Sequence, residues 1–507
     1  MSVRGSRLPR FVSVLLTVAL VVSGVEAVTV AVAGRVAPAA ADPAPADVTE
    51  AATRFLAAQY AQAQGHKVEV TSERTQSTST FADPDGSWTL QAATQPVRAL
   101  VNGVWQPVDP TLVSDSGGVH PKVSAEAMTF SGGGNTALAS LSGDGSQAGL
   151  KWLANLPAPT LSGATATYPN VASGVDLVLT ASRVGFEVSI VLKTRPANPK
   201  AVYRLPLTAK GLSASGPDGS GLITLSDAKG RSAGFVRPTV MFDAQSDAST
   251  GAPSHTGPIA TTVVTNGAAQ ELDFVPQAGF LSDPATVFPV TIDPSVHLGQ
   301  LNDMWVGSAG ASGSGSTELR VGYYNGDSQT DRSFLRFDTS TLTGTTVSAA
   351  TLALYQWYTP AGCAAKESRV YGLAGAFTDS TTWSTQPTAY PTVEASSTAV
   401  YGATGCNPWW NSYNVTGLAQ KWANGSEPNY GMLLRQGVET DHAGWWRFYG
   451  MDYSVGSQLP SLAVTYNTPP GDPDEPGDQP AGRLRDRRWP AIDQHGHAAV
   501  VRQRHRP

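Results

Sequence analysis

Residues 331–358 read DRSFLRFDTSTLTGTTVSAATLALYQWY. Apolar and polar side chains alternate on both sides of a Gly-containing turn, and a period of two puts successive side chains on opposite faces of a strand. Leu335 and Phe337 share one face of the first segment, and Leu352 and Leu354 share one face of the second. The spacing predicts a β-hairpin whose two apolar rows meet a facing sheet. The stretch then runs into aromatics, where Trp357, beside Tyr358 and Pro360, suits core and surface equally.

The same period extends outward in both directions. In GVDLVLTASRVGFEVSIVLKT (174–194), Val175, Leu177 and Leu179 fall on one face, and Phe186, Val188, Ile190 and Leu192 on one face of the returning strand. Asn102-Gly103, inside PVRALVNGVWQPVD, is the dipeptide that best tolerates the left-handed backbone of a two-residue hairpin turn. The last strand, SLAVTYN (461–467), aligns Leu462, Val464 and Tyr466. Helical spacing occurs twice. One short helix ends near Gly65, and in NVTGLAQKWANG the residues Val415, Leu418, Ala419 and Trp422 fall at i, i+3, i+4, i+7 before Asn424-Gly425.

The chain has 507 residues with 51 Gly and 36 Pro, too long for one ordinary domain and too often interrupted for long helices. Charged residues make up 15% and the net charge is −6, so there is no overall attraction to nucleic acid. At the N-terminus Arg4, Arg7 and Arg10 precede FVSVLLTVALVVSGV, and small residues around Ala39–Ala41 suit a signal peptidase cutting before Asp42. An uncleaved anchor is the alternative, because the apolar stretch continues toward Ala33. In an exported chain the two cysteines, Cys363 and Cys406, are expected to form a disulfide.

Five segments follow: a signal peptide (1–41), a helical or linker segment (42–84), a β-rich region (85–296) of one sheet or two packed sheets, a second β-region (299–467), and a tail (468–507). The tail begins with the acidic, Pro-rich PPGDPDEPGDQP and continues into an Arg- and His-rich end. Without an apolar period it is expected to be disordered.

Four separated motifs, RSFLRFDTSTLTGTTVSAATLALY, TTWSTQP, YNVTGLAQKWANGSEPNYGMLL and PSLAVTYN, occur in the order and spacing of the DNRLRE domain, which is related to carbohydrate-binding module family 96. Residues 299–467 resemble that domain. FADPDGSWTL, PVRALVNGVWQPVD, YPNVASGVDLVL and FPVTIDP resemble the N-terminal part of secreted actinobacterial proteins that carry RHS repeats. The chain is expected to be mainly β with a short N-terminal helix, and the resemblance implies that the second region is a jelly-roll-like β-sandwich. It also implies attachment to polysaccharide or cell-envelope glycan without catalysis. By family analogy calcium braces such sandwiches, but no ligand set is readable.

No catalytic constellation stands out: there is no His-Glu-x-x-His, no Gly-x-Ser-x-Gly and no phosphate loop. His120, His255, His297 and His442 are isolated in sequence, and Asp338 is expected to organise its own turn. The aromatics carry more information, because sugar rings stack on flat side chains while their hydroxyls need polar partners. The candidate platform is Trp409 and Trp410 with Asn411, and Trp445 and Trp446 with Arg447. Adjacent strand residues face opposite ways, so one Trp of each pair is expected in the core and the other at the surface. Trp383 and Trp422, inside the fold motifs, are assigned to the core. The reading is a secreted, non-enzymatic glycan-binding protein that contacts neither nucleic acid nor, once its signal is cleaved, a membrane; the alternative is a display module of a larger surface or toxin-delivery protein.

Overall fold

The structure is a computed structural model describing residues 47–468 except 144–145, 220, 238, 247–252, 268, 299–301, 311–316, 325–327, 361 and 452–457. The expected signal peptide and the tail beyond Thr468 lie outside the described residues. The fold is mainly β.

Strands from Asp109–Asp115 to Ser295–Leu298 hydrogen-bond into a closed barrel around one core that includes Phe130, Tyr168, Phe186 and Phe274. The rows Val175/Leu177/Leu179 and Phe186/Val188/Ile190/Leu192 point into that core from paired strands, Leu179 opposite Val188. The Asn102-Gly103 turn has φ of 50° and 78°, as the hairpin Arg98–Val101/Val104–Pro107 requires.

The sandwich is built from β1 (Val68–Val70), β2 (Thr78–Ala82), β3 (Trp88–Ala93), β4 (Asp303–Gly307), β5 (Glu318–Tyr324), β6 (Gln329–Leu335), β7 (Thr346–Tyr358), β8 (Ser368–Gly372), β9 (Trp409–Asn414), β10 (Met432–Gln436), β11 (Trp446–Tyr449) and β12 (Ser461–Asn467). One sheet runs β1-β2-β3-β12-β7, with β9 and β11 also on β7, and the facing sheet joins β4, β6, β10 and β8. β5 belongs to both: Glu318–Val321 pairs with β11, and Gly322–Tyr324 pairs with β6. Gly322 makes that corner, with φ of 96° and no room for a Cβ, which would lie 2.3 Å from the Gly444 carbonyl oxygen.

The expected hairpin across residues 331–358 does not form. β6 pairs with β4, β5 and β10, whereas β7 pairs with β9, β11 and β12, so the two strands lie in facing sheets. The connection, 336–345, is too long for a tight turn and has apolar anchors of its own: Phe337 and Leu342 are buried. It therefore arches over the end of the core. Leu335 and Leu352, expected side by side on one sheet, instead meet from facing sheets in one buried cluster with Leu354, Tyr413, Leu434 and Trp446. Burying each such side chain is worth about 1.5–3 kcal/mol.

A second difference concerns residues 48–93, expected as a linker followed by the start of the first β-region. Leu90 and Ala92 enter the sandwich core, and β3 pairs along β12 from Trp88↔Tyr466 to Ala93↔Ser461. Alternation alone cannot identify a strand's partner, and here the partner lies at the far end of the described chain. The barrel is thus inserted between β3 and β4 of a sandwich that the flanking segments build together. The short helix, Arg54–Gln64, is capped by the Thr53 hydroxyl, which accepts from Leu56 N–H, and ends at left-handed Gly65. A second helix, Thr416–Ala423, buries Leu418, Ala419 and Trp422 as its spacing predicts.

Candidate carbohydrate-binding face

Leu352, Leu354 and Gln356 of β7 point inward, so Tyr355 and Trp357 project from the outer face of the sheet. On β11, Trp446 and Phe448 enter the core, leaving Arg447 and Tyr449 on that same outer face. The result is a ridge of partly exposed, offset rings: Tyr449 lies 5.5 Å from Tyr355 at 3° and 5.9 Å from Trp357 at 12°. Trp410 of β9 stands nearly perpendicular to Tyr355, 5.5 Å away.

Trp410 also walls a cleft of about 270 Å³. Gln91 and Arg98 line it from the N-terminal segment, and Pro460 and Ser461 from the entry to β12. Arg98 is held by Glu69 Oε1 (3.1 Å) and by the Thr78 carbonyl, which fixes its orientation. Gln91 is exposed and its side chain makes no hydrogen bond among the described residues, leaving the amide available to hydroxyls. A flat indole beside a free amide and a fixed guanidinium can hold the apolar face and the hydroxyls of a sugar together.

The sequence candidates divide. Trp409 is 60% exposed and Trp410 partly exposed, so both members of that pair reach the surface, because Trp409 begins its strand at the rim. Asn411 is fully buried, contrary to the expectation of a ligand partner: its amide donates to Gln356 Oε1 (3.1 Å) and the Ala399 carbonyl (2.8 Å) and accepts from the Ser397 hydroxyl.

Trp445 and Trp446 are both buried, so neither member of this pair is a platform. Trp446 fills the core, while Trp445, just before β11, packs on Tyr324 at 4.4 Å and donates its indole N–H to Asp331 Oδ2 at 2.8 Å. Arg447 is on the outer face as a strand residue should be, yet it is buried. Its guanidinium lies 4.3 Å from the Trp357 ring centre, and its Nε donates to Glu318. A buried pair of this kind fixes geometry more than it adds stability. Tyr355, Tyr449, Gln91 and Arg98 were missed in the sequence reading; the first two could have been found by continuing the period of two past Leu354 and Phe448.

Cys363 and Cys406 form a disulfide that ties the loop after β7 to the loop before β9, beside the ridge. Gly402 in the second loop packs on the backbone of Trp357 and accepts from Thr359 N–H (3.3 Å). Trp422 lies in the core, and Trp383 is half-buried under the Arg332 guanidinium, 4.4 Å from its ring centre. Asp338 Oδ1 accepts from Ser340 N–H (3.0 Å), the turn-organising role expected of it. Among the described residues no three His, Cys, Asp or Glu side chains gather as a metal would require. His255, isolated in sequence, meets Asp243 Oδ2 at 2.7 Å in the barrel. Burial raises the Asp243 pKa, but hydrogen bonds from His255, Val287 N–H and Gln245 outweigh it and hold the carboxyl at about 2.

The β-sandwich thus presents an aromatic ridge and an adjoining cleft on one outer face. Residues 295–454 match Carbohydrate-binding module family 96. The chain is also similar to the tRNA nuclease WapA of Bacillus subtilis (strain 168), 25% identical over 318 residues that cover 60% of this chain and 13% of that protein. The tRNA3(Ser)-specific nuclease WapA of Bacillus spizizenii is 24% identical over the same shares. The chain thus spans a small part of the length of these relatives.

Proposed function

We propose that this protein is a secreted, non-catalytic carbohydrate-binding protein that holds polysaccharide or cell-envelope glycan on the outer face of its sandwich. The observation that carries the reading is Trp410, partly exposed between the Tyr355/Tyr449/Trp357 ridge and the cleft lined by Gln91 and Arg98. The family match over 295–454 supports the same ligand class. Export is supported by the basic and apolar N-terminal sequence and by the disulfide. The cleft draws on Gln91, Arg98 and Ser461, all outside the matched segment, so the binding unit is the assembled chain.

A second reading, a display module at the front of a larger surface or toxin-delivery protein, is favoured by one observation: the similarity to the WapA proteins covers 13% of their length. A glycan array and polysaccharide pull-down with the full chain, alongside Trp410→Ala, separate the two. Retention on a polysaccharide that the variant loses supports binding. Absence of retention on every polysaccharide, with the fold intact, leaves the display role.

A further inference from the structure

A second depression, of about 460 Å³, opens where the arch at 336–345 meets the N-terminal segment. It shares Ser77 and Ala93 with the cleft beside Trp410, so those two residues form the wall between neighbouring hollows. Its volume lies within the roughly 300–1,000 Å³ typical of small-molecule sites.

The lining is polar and held in place. Arg336 donates through Nε (3.1 Å) and Nη2 (2.9 Å) to Asn302 Oδ1, and Asn302 Nδ2 donates to the Thr94 carbonyl (3.1 Å). Asn429 is anchored on the Phe337 carbonyl (2.9 Å) and Thr339 Oγ1 (2.8 Å). Asp338 uses one carboxylate oxygen for its turn, and among the described residues Oδ2 meets no donor. The Ser340 hydroxyl stands exposed beside it, and Trp422 supplies an aromatic wall from the core side.

The geometry points to this pocket as a binding site for one neutral sugar unit, separate from the outer-face cleft. An anionic ligand would meet the Asp338 carboxylate and a cationic one the Arg336 guanidinium, so a group charged either way faces a like charge inside the pocket. Hydroxyls both donate and accept, and adjacent sugar hydroxyls can use a carboxylate and a guanidinium together. The aromatic wall suits the apolar face of the ring.

The test uses the full chain and a panel of methyl glycosides of glucose, galactose and mannose, with methyl glucuronide and glucosamine as charged counterparts. Saturation-transfer NMR and calorimetry are expected to show weak, saturable binding of at least one neutral glycoside. Asp338→Asn keeps an acceptor for the turn but removes the charge, and should weaken binding by about tenfold, the cost of losing a charge-assisted hydrogen bond. Thr343→Trp, at an exposed position on the pocket wall, should abolish it, whereas Trp410→Ala should leave it unchanged. Failure of every neutral glycoside to saturate, undiminished binding by the Thr343→Trp variant, or preference for a charged counterpart would overturn the assignment. Because the glycosides are monomeric and the cleft is probed with polymer, this outcome is read separately from that of the outer face.

Discussion

Ala92 stands opposite Leu462 in an antiparallel ladder, so a strand that precedes the barrel is completed by one near the end of the described chain. Both side chains enter the same core. Without β3, the β12 edge would present unpaired N–H and C=O groups and expose the floor beneath Leu90.

The consequence is measurable in the intact chain. Leu90→Ala should destabilise the sandwich by about 2–5 kcal/mol, the cost of a large-to-small change in a packed core. Urea unfolding followed by tryptophan fluorescence reads it. An unchanged midpoint would mean that the N-terminal strand contributes nothing to the sandwich.

The disulfide closes a loop with a sequence separation of 43. Chain-entropy arguments give about 3–4 kcal/mol for a loop of that size. Cys363→Ser with Cys406→Ser, or reduction, should lower the melting temperature while the ridge stays assembled, because Tyr355 and Tyr449 are positioned by paired strands. Mass spectrometry of the non-reduced protein that found two free thiols would contradict the cross-link itself.

Among the tryptophans, burial sorts stability from surface roles. Trp446→Ala should cost about 3–5 kcal/mol of folding, and Trp409→Ala, on the exposed rim, should change stability by less than about 0.5 kcal/mol. Trp445→Ala should also destabilise, since it leaves buried Asp331 without the indole donor. If Trp445→Ala and Trp409→Ala melted together, the buried position of Trp445 would be wrong.

Local periodicity in the sequence was a reliable guide wherever one strand's neighbours decide its faces. The rows in 174–194, the Asn102-Gly103 turn and the helix face Leu418/Ala419/Trp422 all stand as read. Pairing was not legible. Alternation in 331–358 is the same whether the strands are adjacent or facing, and only the burial of Phe337 and Leu342 in the connection makes an arch. The site suffered likewise. Alternation puts one of Trp445 and Trp446 at the surface, but both are buried, Trp446 in the core and Trp445 on Asp331. The cleft was out of reach because Gln91 and Arg98 meet Trp410 only through the β3–β12 ladder.

Two barrel carboxyls give opposite pH dependences. Asp243 is held at about 2, below the ordinary carboxylate value, so its contribution to stability is present above about pH 4 and is lost as the pH falls toward 2. Asp293 is raised to about 7, by burial first and the nearby Glu187 charge second, against the pull of Arg237. Its folded form keeps a proton that the unfolded chain has released, so its contribution declines as the pH rises from about 4 to about 7. Melting curves at pH 5 and pH 8 should therefore show a smaller loss for Asp293→Asn than for the unmodified chain. Asp243→Asn should be less sensitive than the unmodified chain between pH 4 and pH 2. Parallel pH profiles for variants and unmodified chain would contradict both assignments.

The outer face is tested by pairing binding with stability at each ring. Trp410 is partly exposed, has one edge-on contact with Tyr355, and walls the cleft, so Trp410→Ala should remove a stacking surface without opening the core. The expected loss in polysaccharide affinity is about 1–2 kcal/mol, a factor of roughly 5–30, with little change in melting temperature. Gln91→Ala should weaken binding less, by about 0.5–1.5 kcal/mol, since it removes neutral hydrogen bonds only. Arg447→Ala is the contrasting case. Arg447 is buried against Trp357 and shares the buried Glu318 carboxylate with Arg320, so its loss empties a packed position and removes a guanidinium partner of that carboxylate; it should lower stability first, with binding lost as the ridge loosens. Affinity electrophoresis in soluble polysaccharide and thermal melts on the same samples distinguish these patterns. If Trp410→Ala and Gln91→Ala both bind as the unmodified chain does, while the unmodified chain is clearly retained, the glycan sits elsewhere on the molecule and the cleft is not its site.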